Sequence, residues 1–147
     1  MTLTVRSADG RRVAVQVSGS TAGHPVFLMH GTPGSRIGPL PRPMVLHGLG
    51  VRLITFDRPG YGESDRQPFR QVADVVPDVE AIADALGVGQ FAVLGRSGGG
   101  PHALACAALL PDRVTRAGIL VSLAPGRMDS TGSPGWPHLL FRSSRTR

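Results

Sequence analysis

Gln90-Phe91-Ala92-Val93-Leu94-Gly95-Arg96-Ser97-Gly98-Gly99-Gly100-Pro101-His102-Ala103-Leu104 is the stretch whose reading decides the fold. The apolar run Phe91 to Leu94 predicts a buried strand. Small residues then surround a single serine, and an alanine- and leucine-rich helix follows. The spacing Gly95-x-Ser97-x-Gly99, set between strand and helix, has the form of a nucleophile elbow. Such a turn is tight enough to strain the serine backbone, and glycines on either side let strand and helix approach closely. It would hold the Ser97 hydroxyl clear of the sheet edge at a helix N-terminus, where a backbone N–H and the helix dipole stabilise an oxyanion. Alone, the five-residue pattern also marks ordinary strand-to-helix turns. The flanking strand and helix are what point to the elbow.

Downstream, Ala103 to Leu110 reads as helix, stopped at Pro111-Asp112, and Arg116 to Leu123 as another buried strand. Upstream, a short turn ending near Val76 leads into a helix from Pro77 to Leu86, since proline is best placed in a first turn. Val79, Ile82, Ala83 and Leu86 form its apolar face, Asp78, Glu80 and Asp84 its solvated side, and Gly87 its stop. Val26 to Met29 is a continuous apolar run of the kind buried on both sheet faces, and Val51 to Phe56 reads as another buried-type strand. A short helix near Met44 to Gly48 lies between them. Thr2 to Val5 and Arg12 to Val17 form a hairpin about Asp9-Gly10, with Val13, Val15 and Val17 on one face. Strands near 26, 51, 91 and 117 with helices between them specify an α/β fold: a mostly parallel, doubly wound sheet with an N-terminal antiparallel hairpin. Functional residues in such sheets lie beyond the carboxyl ends of strands, where His30-Gly31-Thr32, Asp57 and Ser97 all fall. Gly87-x-Gly89-x-x-Ala92 precedes a strand instead of joining strand to helix, so it is set aside as a dinucleotide fingerprint.

Composition narrows the partners. The 147 residues are 41% hydrophobic, enough for a globular core, and carry a formal net charge of +6. Every basic residue is arginine, and Arg127, Arg142, Arg145 and Arg147 against Asp129 supply half of that charge. The rest has no arginine stripe and few aromatics for base stacking, so no nucleic-acid partner is expected. The apolar runs are strand-length, so no membrane partner is expected either. The N-terminus carries Arg6, Asp9, Arg11 and Arg12 without an apolar run, and a cytoplasmic location is expected. Cys106 has no disulfide partner and falls among helical alanines, as a buried, inert thiol would.

Beyond the serine, His30-Gly31-Thr32-Pro33-Gly34-Ser35 follows a strand end, and its glycines can leave amide N–H groups exposed. Taken by itself, the segment reads rather as a plain loop with a structural His30. Asp57 stands at a strand end where a catalytic carboxylate could sit. The expectation is that it orders its loop by bonding to nearby amides or to Arg58.

Taken in order, His30-Gly31-Thr32-Pro33-Gly34, Asp57-Arg58-Pro59-Gly60-Tyr61-Gly62-Glu63-Ser64 and Gly95-Arg96-Ser97-Gly98-Gly99 resemble the α/β-hydrolase superfamily over about residues 2 to 125. The resemblance implies that Ser97 is the nucleophile. It implies that the backbone N–H groups of Thr32 and Gly98 form the oxyanion hole, with His30, Gly31, Gly95 and Gly99 shaping the turns. It further implies a small-molecule acyl substrate cleaved at an ester or related bond, without metal or organic cofactor. The superfamily's acid and histidine follow the serine in the chain. Asp112 caps the wrong end of the elbow helix, His102 is too close to Ser97 in sequence, and Asp129 and His138 lie outside any family-like pattern. Residues 1–125 are therefore expected to be the N-terminal part of an incomplete α/β-hydrolase core, and 126–147 an irregular basic tail. A one-base shift in reading frame at Arg127, with permitted codons, gives a hydrolase-like continuation, which suggests a truncated chain with an out-of-frame tail. Two alternatives stand beside the serine hydrolase: an inactive remnant lacking the acid and histidine, and a non-enzymatic small-molecule binding module.

Overall fold

Alternating valines in residues 12 to 17 turn one side of a hairpin towards the core. The computed structural model describes residues 1–38, 40–122, 127–128 and 134–135. β1 (Thr2–Arg6) and β2 (Arg12–Gly19) pair antiparallel, and Val13, Val15 and Val17 are buried. The turn closes through Ser7 N–H to the Arg11 carbonyl (3.0 Å) and Gly10 N–H to the Ser7 carbonyl (2.9 Å). Gly10 sits at φ +84°, a left-handed conformation that glycine adopts without steric penalty.

β3 (His24–Met29), β4 (Val51–Phe56), β5 (Phe91–Arg96) and β6 (Val114–Leu120) complete a six-stranded sheet in the order β1-β2-β4-β3-β5-β6. β2 pairs antiparallel with β4, whereas β4, β3, β5 and β6 are parallel neighbours. This is the α/β sheet that the sequence specifies, with its antiparallel hairpin at one edge. The steps from β3 to β4 and from β5 to β6 run in opposite directions across the sheet. Right-handed crossovers therefore send α1 (Pro43–Gly48) and α3 (Gly100–Leu109) to opposite faces, and α2 (Val75–Ala85) joins α3. β3 and β5 are neighbours at the point where the winding reverses. Their carboxyl ends lead into His30 and Ser97, the position from which such sheets present functional groups.

The core lies between the sheet and the α2–α3 layer. Phe27, Met29, Ile54, Phe56, Phe91 and Val93 meet Val75, Val79, Ile82, Ala103 and Cys106 there. The Phe27 and Phe91 rings pack with centroids 4.7 Å apart. Each fully buried side chain of this size contributes about 1.5–3 kcal/mol. Burial pushes the Cys106 thiol up to about 12, as expected of an inert cysteine. Among the described residues no helix is long and apolar enough to cross a membrane.

Three expectations need correction. The helix expected from Pro77 starts at Val75, after a 3-10 turn over Val72–Asp74, so Pro77 sits within its first turn rather than at its start. Asp78 is not on a solvated side. It is fully buried and accepts a hydrogen bond from the Arg11 guanidinium at 2.8 Å, because its helix face packs against the β1–β2 turn. Burial pushes its carboxyl up, and the bond from Arg11 only partly opposes that. β6 is not buried on both faces. It pairs with β5 alone among the described residues, which leaves Ile119, Leu120 and Val121 exposed. Arg127–Met128 and Pro134–Gly135 form a separate two-residue antiparallel ladder, β7 and β8. The rest of the expected 126–147 tail, Asp129 and His138 included, lies outside the described residues.

Candidate active site

Ser97 follows β5 directly and has φ +51°, in the left-handed region where a non-glycine residue is held at a cost of about 1–3 kcal/mol. Neighbouring glycines make the turn possible by lacking side chains. A Cβ on Gly95 would stand 2.6 Å from the Gly100 Cα, and one on Gly99 would stand 2.1 Å from the Met29 carbonyl oxygen. The elbow is thus wedged against the end of β3, and the loop after β3 lies across the serine. A Cβ on Gly31 would come 3.2 Å from the Ser97 Cβ and 3.7 Å from its Oγ. Across the gap, a Cβ on Gly98 would lie 3.3 Å from the Thr32 backbone nitrogen and 2.8 Å from Thr32 Oγ1. Gly31, Thr32, Ser97 and Gly98, separated by more than sixty residues in the chain, meet in one place. Gly31, Thr32 and Ser97 open onto a cleft of about 260 Å³ that His30, Ser35 and Arg96 also line.

His30 is a loop-ordering residue. Its Nδ1 is 2.8 Å from the Gly31 carbonyl oxygen, and its Nε2 accepts the Arg58 backbone N–H at 3.2 Å. A carbonyl can only accept, so the proton resides on Nδ1 and the ring is neutral. Burial, with the Arg58 and Arg70 charges behind it, pushes the pKa of His30 down.

Asp57, fully buried at the end of β4, orders its loop through main-chain amides, as expected, with Arg36 rather than Arg58 as its guanidinium partner. Its carboxylate accepts the Arg36 N–H at 2.6 Å, the Glu63 N–H at 3.0 Å and the Arg36 guanidinium. Arg36 also reaches Glu63 at 2.6 Å. Gly62, at φ +51°, leaves the space for this carboxylate: a Cβ there would overlap Asp57 Oδ2 at 2.0 Å. Arg58 turns away from Asp57. Its guanidinium donates to the Gly31 carbonyl (3.2 Å), to Thr32 Oγ1 (3.0 Å) and to His102 Nε2 (2.7 Å), and it lies 4.9 Å from the Tyr61 ring centre. Arg36 and Arg58 are the site residues that sequence reasoning missed. Arg58 stood in a quoted motif and His102 followed the elbow glycines, but nothing local shows that they touch.

His102 is committed to this network, with Nδ1 donating to the Val72 carbonyl at 3.1 Å. Burial first, then the Arg58 and Arg70 charges, bring its pKa to about 4 against the ordinary 6.5. Between these values the unfolded chain takes up a proton that the folded chain refuses. The contribution of His102 to stability is therefore complete above pH 6.5 and falls as the pH drops towards 4. Asp9 and Asp65, held at about 2 chiefly by hydrogen bonds from Arg11 and Arg12, lose theirs only at lower pH. In His102→Gln, Oε1 can still accept from Arg58 without titrating. Its denaturation midpoint is expected to fall less than that of the wild type between about pH 7 and about pH 4.5. Equal slopes would contradict this account.

Among the described residues Ser97 Oγ has no imidazole partner, and Asp112 is exposed beyond α3, where its carbonyl accepts from Gln90. No group of three His, Cys, Asp or Glu side chains in the described residues is placed to hold a metal ion.

Residues 24–141 match the family model described as alpha/beta hydrolase fold. The chain is 34% identical over 116 residues to epoxide hydrolase B of Mycobacterium tuberculosis, covering 76% of this chain and 32% of that protein. It is 33% identical over 146 residues to the non-heme chloroperoxidase of Streptomyces lividans, covering 97% of this chain and 52% of the relative. An esterase from Exiguobacterium antarcticum superposes with a TM-score of 0.74 at 26% identity, over 92% of this chain and 50% of the esterase. The chain thus spans between a third and about half the length of the curated relatives it matches.

Proposed function

The chain belongs to the alpha/beta hydrolase family, and from that premise we propose that it forms the elbow-bearing part of a serine hydrolase acting on an ester or related acyl bond of a small molecule. Ser97 Oγ attacks the acyl carbon, and the carbonyl electron pair moves onto oxygen. The N–H groups of Thr32 and Gly98 hold that oxyanion. The alcohol leaves with a proton, and water then cleaves acyl-Ser97 to the free acid. This chemistry calls on no metal or organic cofactor. The carrying observation is the left-handed backbone of Ser97 at a strand-to-helix turn, with Thr32 and Gly98 facing each other beside it. The relatives are named for three different reactions, so the family alone leaves the bond open. A serine in the elbow favours acyl transfer.

One observation favours a second reading. The His30 and His102 rings are both engaged with Arg58, and no described imidazole reaches Ser97. A 147-residue chain without a base would be a remnant or a binder using the same cleft. It would retain at most about a thousandfold advantage over water from the oxyanion hole and binding. A fluorophosphonate probe separates the readings. The expected result is one label per chain, abolished in Ser97→Ala. A folded wild-type chain that takes no label would refute the hydrolase reading for this chain.

A further inference from the structure

Two arginines buried in the loops around this site have opposite arrangements. Arg36 is balanced by the carboxylates of Asp57 and Glu63. Arg58 is only 4% exposed, and among the described residues every group it touches is neutral: a carbonyl, a hydroxyl, two imidazoles and a phenol ring. A buried cation without a carboxylate is costly, and burial lowers the pKa of Arg58. If Arg58 served only to tie loops together, a paired arginine like Arg36 would do so at less cost. What distinguishes Arg58 is the particular peptide that it grips.

The Gly31 carbonyl and the Thr32 N–H belong to one trans peptide unit, in which C=O and N–H point in opposite directions. Fixing the carbonyl therefore fixes the direction of the N–H. The Gly31 carbonyl receives two donors, the Arg58 guanidinium at 3.2 Å and His30 Nδ1–H at 2.8 Å. The His30 ring is itself held by the Arg58 backbone N–H on Nε2. The same guanidinium anchors Thr32 Oγ1, and its other nitrogen is braced by His102 from α3. Of the two donors on the Gly31 carbonyl, one is the Arg58 side chain itself and the other, His30, is oriented by the Arg58 main chain, which side-chain substitution leaves in place. Next along the chain, Pro33 has no N–H to take over the role.

We infer that Arg58 is the positioning residue of the oxyanion hole: it grips the Gly31–Thr32 peptide from behind, aims the Thr32 N–H at the reacting carbonyl, and places an unbalanced positive charge behind the developing oxyanion. The inference rests on the serine-hydrolase reading for its catalytic consequence, while the orientation of the peptide can be measured without catalysis.

The test uses the full 147-residue chain with Arg58→Lys and Arg58→Gln. Arg58→Lys keeps the charge but cannot fork between the Gly31 carbonyl and His102. In both variants the fluorophosphonate labelling rate of the folded fraction should fall, by about 100-fold in Arg58→Gln, a misplacement-sized effect. Millimolar guanidinium should restore part of that rate in Arg58→Gln. A role confined to stability would lower the melting temperature and leave the rate of the folded fraction unchanged, overturning the inference. The second readout is the Thr32 amide resonance in a 15N-labelled chain. It should shift in Arg58→Gln while amides on α2 stay in place. If the wild type takes no label, the hydrolase reading fails, and this resonance still decides: an unmoved Thr32 amide overturns the positioning role, and a moved one supports it.

Discussion

Asp57→Asn is expected to remove about 3–5 kcal/mol of stability, the cost of breaking a buried ion pair from one side. Both carboxylate oxygens of Asp57 are acceptors for buried or half-buried donors: the Arg36 N–H and the Glu63 N–H, with the Arg36 guanidinium added. An amide in the same place can offer one acceptor, and its NH₂ would face donors. The Arg36 guanidinium is 9% exposed and would keep only Glu63, whose side chain is 73% exposed and so a weak, solvent-screened partner. Against a total of about 5–15 kcal/mol for an ordinary domain, this is a large fraction of the stability. The measurement is the denaturant midpoint at pH 7 with its slope held constant. Arg36→Met combined with Asp57→Asn should recover part of the loss, because it removes the stranded cation. Recovery would be incomplete, since the two main-chain N–H groups still face an amide. A cost below about 1 kcal/mol for the single variant would show that the pair is not the anchor of this loop.

How legible such features were depended on how local they were. The elbow was readable because strand, serine and helix occupy fifteen consecutive residues, and the glycine spacing carries its own steric reason. The sheet was readable because runs at 26, 51, 91 and 117 alternate with helical segments, and right-handed crossovers leave few ways to wind them. Asp57 reads correctly as loop-ordering through nearby amides, but its guanidinium partner is Arg36 and not the adjacent Arg58, because Arg36 lies twenty-one residues away in the chain. Only the sheet brings Arg36 to the end of β4.

Asp78 shows a different failure. Its helical spacing from Val75 and Ile82 already placed it on the core face, but its charge argued for solvent. Arg11, sixty-seven residues earlier, reverses that argument, and no local pattern announces such a pairing. β6 was misread because an apolar run looks the same whether one neighbour or two cover the strand. At the site, the motifs located Thr32, Ser97 and Gly98, which the fold brings together. The role proposed for Arg58 needed the hydrogen-bond geometry, since its three side-chain hydrogen bonds go to two other segments.

The elbow glycines join stability to the proposed chemistry, and Gly99→Ala should damage both. Gly99 has an ordinary helical backbone, φ −81°, so the penalty is one of space rather than conformation. Its missing Cβ would sit 2.1 Å from the Met29 carbonyl oxygen, 2.7 Å from the Met29 carbonyl carbon and 2.8 Å from the His30 carbonyl oxygen. All three are main-chain atoms at the end of β3, which pairs on both sides and cannot yield as a side chain would. Overpacking of this kind costs at or above the upper end of about 1–3 kcal/mol. Relief requires the elbow to move away from β3, which carries Ser97 and Gly98 away from Thr32. The fraction that still folds should therefore label with a fluorophosphonate at least about 100-fold more slowly. Gly98→Ala offers a contrast: its Cβ would first meet Thr32, Oγ1 at 2.8 Å and the main-chain nitrogen at 3.3 Å, a looser fit than at Gly99, so it should cost less stability yet still disturb the same gap. Gly89→Ala, with nothing within 4 Å of its Cβ, is the control and should match the wild type in both measurements. A Gly99→Ala chain that melts and labels like that control would show that β3 and the elbow are not wedged together, and the contact proposed to define the oxyanion hole would lose its steric basis.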